Sequence, residues 1–111
     1  MTAKTIYDMA LCLAGRDMAE DYIDDNEPLK RNALFFINQV LLEFSLGGVS
    51  SLSSKIELSK KTADAVIYGV ARLIAAAVSD TDKQNELTDI FNAKRSSALS
   101  STAFVKNRIP V

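Results

Sequence analysis

Apolar and polar positions follow the period of an α-helix along most of this chain. Ile6, Met9, Ala10, Leu13 and Ala14 recur at spacings of three and four, which predicts a first helix over 3–14. Gly15 comes next and can take the left-handed conformation that closes a helix. Residues 16–27, RDMAEDYIDDNE, break the pattern as an acidic connector. Within it Met18, Tyr22 and Ile23 offer enough apolar surface for one short turn of helix against a core. Asp25 and Asn26 are N-cap residue types, and Pro28 suits a first helical turn, where a missing N–H has no intrahelical partner to lose.

The second helix is predicted to run from there to about Phe44. Ala33, Phe36, Ile37, Val40, Leu41 and Phe44 form one stripe, and Leu34, Phe35, Leu42 and Leu46 form an adjoining one. A helix apolar over so much of its circumference is either central or covered by another subunit. Gly47-Gly48 is the expected stop. The serine-rich loop 47–58 follows, and Ile56-Glu57-Leu58 alternates like a brief extended stretch.

Ser59 is the predicted cap of a third helix, over 60–79. There Ala63, Val66, Ile67, Val70, Ile74, Ala77 and Val78 carry the clearest helical period in the chain. Ala65, Gly69 and Ala76 are small residues on one side. A glycine costs up to about 1 kcal/mol inside a helix. Close approach of another helix or subunit at Gly69 would offset that. Asp80-Thr81-Asp82 separates this helix from a fourth over 82–99, with Thr81 and Gln84 spaced as a capping box. Leu87, Ile90, Phe91, Lys94 and Ala98 share one side of it. The closing STAFVKNRIPV shows no helical pattern, yet Phe104, Val105 and Ile109 make it apolar for a free tail. The expected fold is all-α: a small bundle of four main helices over 1–99 with an extended C-terminal tail over 100–111.

At 111 residues and 12.1 kDa the chain has room for one domain. A fold of this mass buries roughly 65% of its unfolded surface, enough for a core without disulfides or metal. The net charge of −1 points to neither nucleic acid nor membrane, but its distribution is uneven. Residues 1–27 sum to −5, residues 90–111 to +4, and the middle to zero. An acidic end and a basic end suit head-to-tail contact between identical subunits, in which two different surfaces meet. The single cysteine, Cys12, excludes an intrachain disulfide and is expected to be a small core residue in a reducing compartment. No secretion signal is legible around Ile6–Ala14, which Asp8 interrupts. The apolar stretch Ala63–Val78 contains Asp64, Tyr68 and Arg72 and is too short to span a bilayer. It is expected to be a buried helix.

The chain has no histidine, so it lacks both the commonest general base and the commonest metal ligand. One cysteine cannot make a thiolate zinc site, and no phosphate-cradling glycine motif occurs. The cluster Asp17, Glu20, Asp21, Asp24 and Asp25 lacks the mid-loop glycine of a calcium loop and reads as a solvated connector. Lys94, Arg95, Lys106 and Arg108, with Phe104 nearby, are too few for a nucleic-acid surface and suit a subunit-binding face better. No catalytic, cofactor-binding or metal-binding residue is expected.

Three stretches together carry a family resemblance: MALCLAG, FFINQVLLEF, and TADAVIYGVARLIAAAVSDTDKQNELTDIFNAKRSSA. In order and spacing the chain resembles the head–tail connector (adaptor) proteins of tailed bacteriophages and prophages. Many of these carry a tyrosine–asparagine–x–lysine or arginine element in the last helix; Phe91-Asn92-Ala93-Lys94 stands there in this chain. The tail departs from the pattern, because the basic run Lys106-Asn107-Arg108-Ile109 replaces an acidic residue before the closing proline.

The resemblance implies a non-enzymatic subunit of a neck ring, often of twelve copies, docked below the portal protein. Such a ring meets other neck and tail-completion proteins and encloses a passive DNA conduit with no sequence-specific contact. It implies a place in the virion neck, and in the host bacterial cytoplasm during assembly, with no membrane association and a monomer until the portal templates the ring. The interface residues expected are Lys94, Arg95, Lys106 and Arg108 against Asp21, Asp24 and Asp25, with Gly69 at a close approach and Phe104, Val105 and Ile109 anchoring the tail. The alternative is a small cytoplasmic helical adaptor or regulator that binds one protein partner. An enzyme built on the carboxylate cluster is the least favoured reading.

Overall fold

A computed structural model describes residues 1–16 and 32–108, with side chains as far as Ser100. Among the described residues the chain forms four α-helices and no strand: α1 Ala3–Leu13, α2 Ala33–Glu43, α3 Lys60–Ala77 and α4 Thr81–Arg108. This is the small all-α bundle that the periodicity predicts. The connector over 17–27, with Asp21, Asp24 and Asp25, lies outside the described residues, as do Pro28 and Ile109.

The third helix is the axis of the bundle. It packs against each of the other three, most extensively against α4. Val66, Ile67, Val70 and Ile74 are buried as their spacing predicts, and Ala65, Ala71 and Ala75 widen the buried strip. The core is completed by Ile6 and Leu11 of α1, Ile37, Val40 and Leu41 of α2, and Leu87 and Phe91 of α4. Each such large side chain contributes about 1.5–3 kcal/mol when taken out of water.

Three helices end in the same way. In α1 the Gly15 N–H donates to Cys12 O at 3.0 Å and the Arg16 N–H to Leu11 O at 2.7 Å, with Gly15 at φ +77°. These two reversed bonds capture carbonyls that the helix end would leave open, in a Schellman motif. The same pair of bonds closes α2 through Ser45 (φ 57°) and Leu46, and α3 through Ser79 (φ 60°) and Asp80. The stop of α2 is therefore Ser45, not the predicted Gly47-Gly48. Serine holds the left-handed position because Leu46 N–H bonds Leu41 O in the final turn.

The N-termini are closed by different means. Ser59 caps α3 as predicted, accepting from the Thr62 N–H at 3.2 Å. The cap of α4 is Asp80, whose side chain accepts from the Lys83 N–H at 3.2 Å; the predicted capping residue Thr81 is instead the first helical residue. In α1 the Thr5 N–H finds Thr2 Oγ1, while the Ala3 and Lys4 N–H groups donate to Ser54 O and Leu52 O of the serine-rich loop. That loop also makes a single bridge from Lys55 to Thr2. It thus supplies the acceptors that α1's first turn needs.

Two expectations are corrected here. The last helix continues past 99 to Arg108, so residues 100–108 extend the helix instead of forming an irregular tail. No glycine or proline interrupts residues 100–108, and Pro110 lies two residues past Arg108, beyond the position it disfavours most for helix. Cys12 is exposed, not a core residue. The buried side of α1 is Ala3, Ile6, Tyr7, Ala10 and Leu11, and Cys12 faces away from it.

Candidate interaction surfaces

The second helix buries one stripe and exposes the other. Ala33, Ile37, Val40, Leu41 and Phe44 are in the core, while Phe35 and Leu42 are 64% and 69% exposed. They are seven residues apart, two turns of helix, with exposed Gln39 between them. The result is a short apolar ridge with no charged residue at its centre. The Phe35 ring meets Phe36 edge to face at 6.2 Å, and the outer sides of Phe35 and Leu42 stay open to solvent.

A shallow groove of about 290 Å³ lies between α1 and α3. Met9, Cys12 and Leu13 form one wall, and Asp64, Ile67 and Tyr68 the other. Its lining is chiefly apolar, and Met9 is 47% exposed there. Neither Phe35 nor Leu42 lines it, so ridge and groove are separate surfaces.

Charged residues near the groove are paired within the chain. Lys94 Nζ donates to Asp64 Oδ2 at 2.6 Å and lies 5.0 Å from the centre of the Tyr68 ring. The hydrogen bond to Asp64 raises the Lys94 pKa; burial opposes it, and the Asp64 charge and Tyr68 add to the rise. About two turns further along α3, Arg72 pairs with Glu43 of α2 and stacks over the Phe91 ring, 4.3 Å from its centre. Phe91 in turn meets Phe44 edge to face at 6.2 Å. The arginine thus binds α2, α3 and α4 together through one carboxylate and one ring.

The expected interface residues fall into three groups. Gly69 is corrected: it is buried inside the subunit, where the helix that approaches closely is α4 through Phe91, together with Val40 of α2. Lys94 is tied to Asp64, and Arg95 is half-buried, with its Nε shut off from water and without a hydrogen-bond partner. Phe104, Val105, Lys106 and Arg108 stand on helical backbone in the last turns of α4. Asp21, Asp24, Asp25 and Ile109 lie outside the described residues. Sequence reasoning missed the groove, because its wall residues come from two helices and meet only in the fold. It found the ridge as a second apolar face without separating the exposed residues from the half-buried ones.

Among the described residues no three histidine, cysteine or acidic side chains converge to hold a metal ion. Nor is any helix among them long and apolar enough to cross a membrane. No family model, curated protein or solved structure matches this chain.

Proposed function

We propose that this chain is a structural assembly subunit of the neck of a tailed phage or prophage. It docks as a ring below the portal protein, joins capsid to tail-completion proteins and surrounds the DNA without reading its sequence. The observation that carries the reading is the exposed Phe35–Leu42 ridge on a subunit whose core is otherwise closed. Apolar surface left open on a small, well-packed bundle marks a place for another protein chain. The order of the sequence stretches that resemble head–tail connectors supplies the identity of that assembly. In this reading the chain binds and does no chemistry, in keeping with a sequence that has no histidine and one cysteine.

The test is negative-stain electron microscopy of the protein mixed with its candidate portal, beside the protein alone. An added layer of density on the portal ring is the expected result. A discrete small oligomer or monomer in both samples, with no added layer, overturns the neck reading in favour of an adaptor that binds a single partner.

A further inference from the structure

We infer that a slot between two non-helical stretches, 47–49 and 55–58, takes an extended segment of another protein as an added β-strand along Lys55 and Glu57, and that this segment reads basic, apolar, acidic from its N-terminus. The inference stands on the slot alone and not on the neck reading.

The slot holds about 260 Å³, and Leu41, Leu46, Ile56 and Leu58 give it an apolar lining. Each wall is fastened separately. Asn38 pins the first through Val49: its Nδ2–H donates to Val49 O at 3.0 Å, and the Val49 N–H donates to its Oδ1 at 2.8 Å. The second is pinned to the start of the chain. The Ala3 N–H donates to Ser54 O at 2.9 Å, and the Ile56 N–H to Met1 O at 2.8 Å. Among the described residues no backbone hydrogen bond joins the two walls.

The bonds to Met1 and Ala3 fix the direction of the second wall's backbone. They flank the antiparallel bridge between Thr2 and Lys55, which is therefore the non-hydrogen-bonded pair of its ladder. In such a ladder the polar groups of Ser54 and Ile56 face Met1 and Ala3, and those of Lys55 and Glu57 face the opposite edge. The slot adjoins that edge, for Lys55 and Glu57 line it and Met1 and Thr2 do not. Among the described residues nothing bonds the N–H or C=O of Lys55 or Glu57. An open strand edge beside a groove is what an added strand requires: main-chain bonds hold it, and alternate side chains select it.

The side chains say which segment fits. Ile56 is buried, whereas Lys55 and Glu57 are exposed, as alternation along a strand demands. Antiparallel pairing lets Lys55 and Glu57 each exchange both bonds with one facing residue. An acid facing Lys55 and a base facing Glu57 are favoured, and the reverse arrangement sets like charges opposite each other. The residue between them faces Ile56 and the apolar lining. The other wall presents Gly47 and Gly48, which carry no side chain to narrow the slot.

The probe is a synthetic capped peptide, Thr-Val-Lys-Val-Glu-Thr, added to the isotope-labelled full chain up to millimolar concentration and followed by NMR. The Lys55 and Glu57 amides should shift and exchange with solvent several-fold more slowly. N-methylating the peptide's lysine and glutamate removes the donors that face the edge and should weaken binding roughly tenfold or more. N-methylating the valine between them, whose N–H points away, should leave binding unchanged. A peptide with lysine and glutamate exchanged should bind several-fold more weakly. The chain variant with Lys55→Glu and Glu57→Lys, altered only at exposed positions and checked by circular dichroism, should reverse that preference. Three results would each overturn the inference: no change at these amides, equal binding of the peptide N-methylated at lysine and glutamate, or no charge preference in either chain. Protection of the Lys55 and Glu57 amides that grows with protein concentration in the absence of peptide would give the slot to a second copy and overturn it too. The portal experiment leaves all of these readouts untouched.

Discussion

A Cβ placed on Gly69 would lie 2.7 Å from Cε1 of Phe91 and 2.8 Å from Cγ1 of Val40. Phe91 is 1% exposed, and its ring is held by Phe44 and Arg72, so it has little room to give way. The glycine in α3 thus lets α4 come close enough to bury an aromatic ring. Gly69→Ala should gain about 1 kcal/mol in helix propensity and lose about 1–3 kcal/mol to overpacking. The expected outcome is a net loss of roughly 0.5–2 kcal/mol, read from the urea unfolding midpoint. Adding Phe91→Leu should make the Gly69→Ala change milder, because the two side chains compete for one space. A double-mutant cycle with no coupling would show that the contact does not limit the packing of α3 on α4.

The two serines that close α2 and α3 predict a gain in stability. Ser45 and Ser79 hold φ of 57° and 60°, and both are exposed. A left-handed residue with a Cβ costs about 1–2 kcal/mol, whereas glycine takes that conformation freely but loses more entropy on folding. Each of Ser45→Gly and Ser79→Gly should therefore raise stability by roughly 0.5–1 kcal/mol, and the two should add, since they end different helices. Thermal unfolding followed by circular dichroism measures both. A loss in either variant would mean that the serine hydroxyl contributes more than the backbone costs.

Tyr7 gives the fold an alkaline limit. Its ring is buried in α1 and its hydroxyl has no hydrogen-bond partner. Burial, and after it the charge of Asp8, pushes its pKa up to about 12. In the unfolded chain tyrosine ionises near 10, so above that pH the unfolded state sheds a proton that the folded state keeps. Stability should be unaffected by Tyr7 below pH 10 and should fall as the pH rises from about 10 to about 12. Lys94 adds to the same trend, because its raised pKa gives stability at lower pH that is lost as the lysine deprotonates. Tyr7→Phe should remove much of this alkaline slope. At neutral pH it should be neutral or gain up to about 1 kcal/mol, since it deletes a buried polar group that bonds nothing. Urea unfolding at a series of pH values tests both, and an unchanged slope would place the sensitivity elsewhere.

The helices were legible because burial in this chain follows the 3.6-residue period: most positions of the predicted stripes of α2, α3 and α4 are buried, although Phe36, Ala63, Val78, Ile90 and Lys94 are only partly so and Ala77 is exposed. Gly15 and Ser59 were legible as helix ends because each is the residue type its backbone position favours. What escaped depended on tertiary context. Ser45 and Ser79 are left-handed against their own preference because reversed hydrogen bonds hold them there. The acceptors for α1's first turn come from Leu52 and Ser54, about fifty residues away in sequence, a pairing that no local pattern records. Cys12 sits in an apolar run, yet it falls on the outer side of α1, and composition alone does not give the phase of a helix whose residues are apolar on several sides. Gly69 was recognised as a close-approach position, but only the fold shows that the neighbour is Phe91 of the same subunit.

The Lys94–Asp64 pair separates a role within the subunit from a role between subunits. Its side chains are 34% and 49% exposed, so the pair contributes no more than about 1 kcal/mol to folding. If the chain assembles as the proposed neck ring, reversing Lys94 and Arg95 to glutamate should weaken that assembly while the monomer stays helical. That variant alone has two explanations, because Lys94→Glu also sets two carboxylates side by side at Asp64. The charge swap Lys94→Glu with Asp64→Lys restores an ion pair inside the subunit but leaves position 94 negative toward a neighbour. If Lys94 serves only to hold α4 on α3, the swap should recover both stability and assembly. If Lys94 also faces the acidic stretch of the next copy, the swap should recover the unfolding midpoint and still assemble poorly, with the defect shrinking as salt screens the repulsion. Unfolding by urea and ring formation on the portal, each measured at low and high ionic strength, distinguish the two. Unchanged assembly in the variant with both Lys94→Glu and Arg95→Glu would remove charge pairing from the contact and leave it to apolar surfaces such as the ridge and groove.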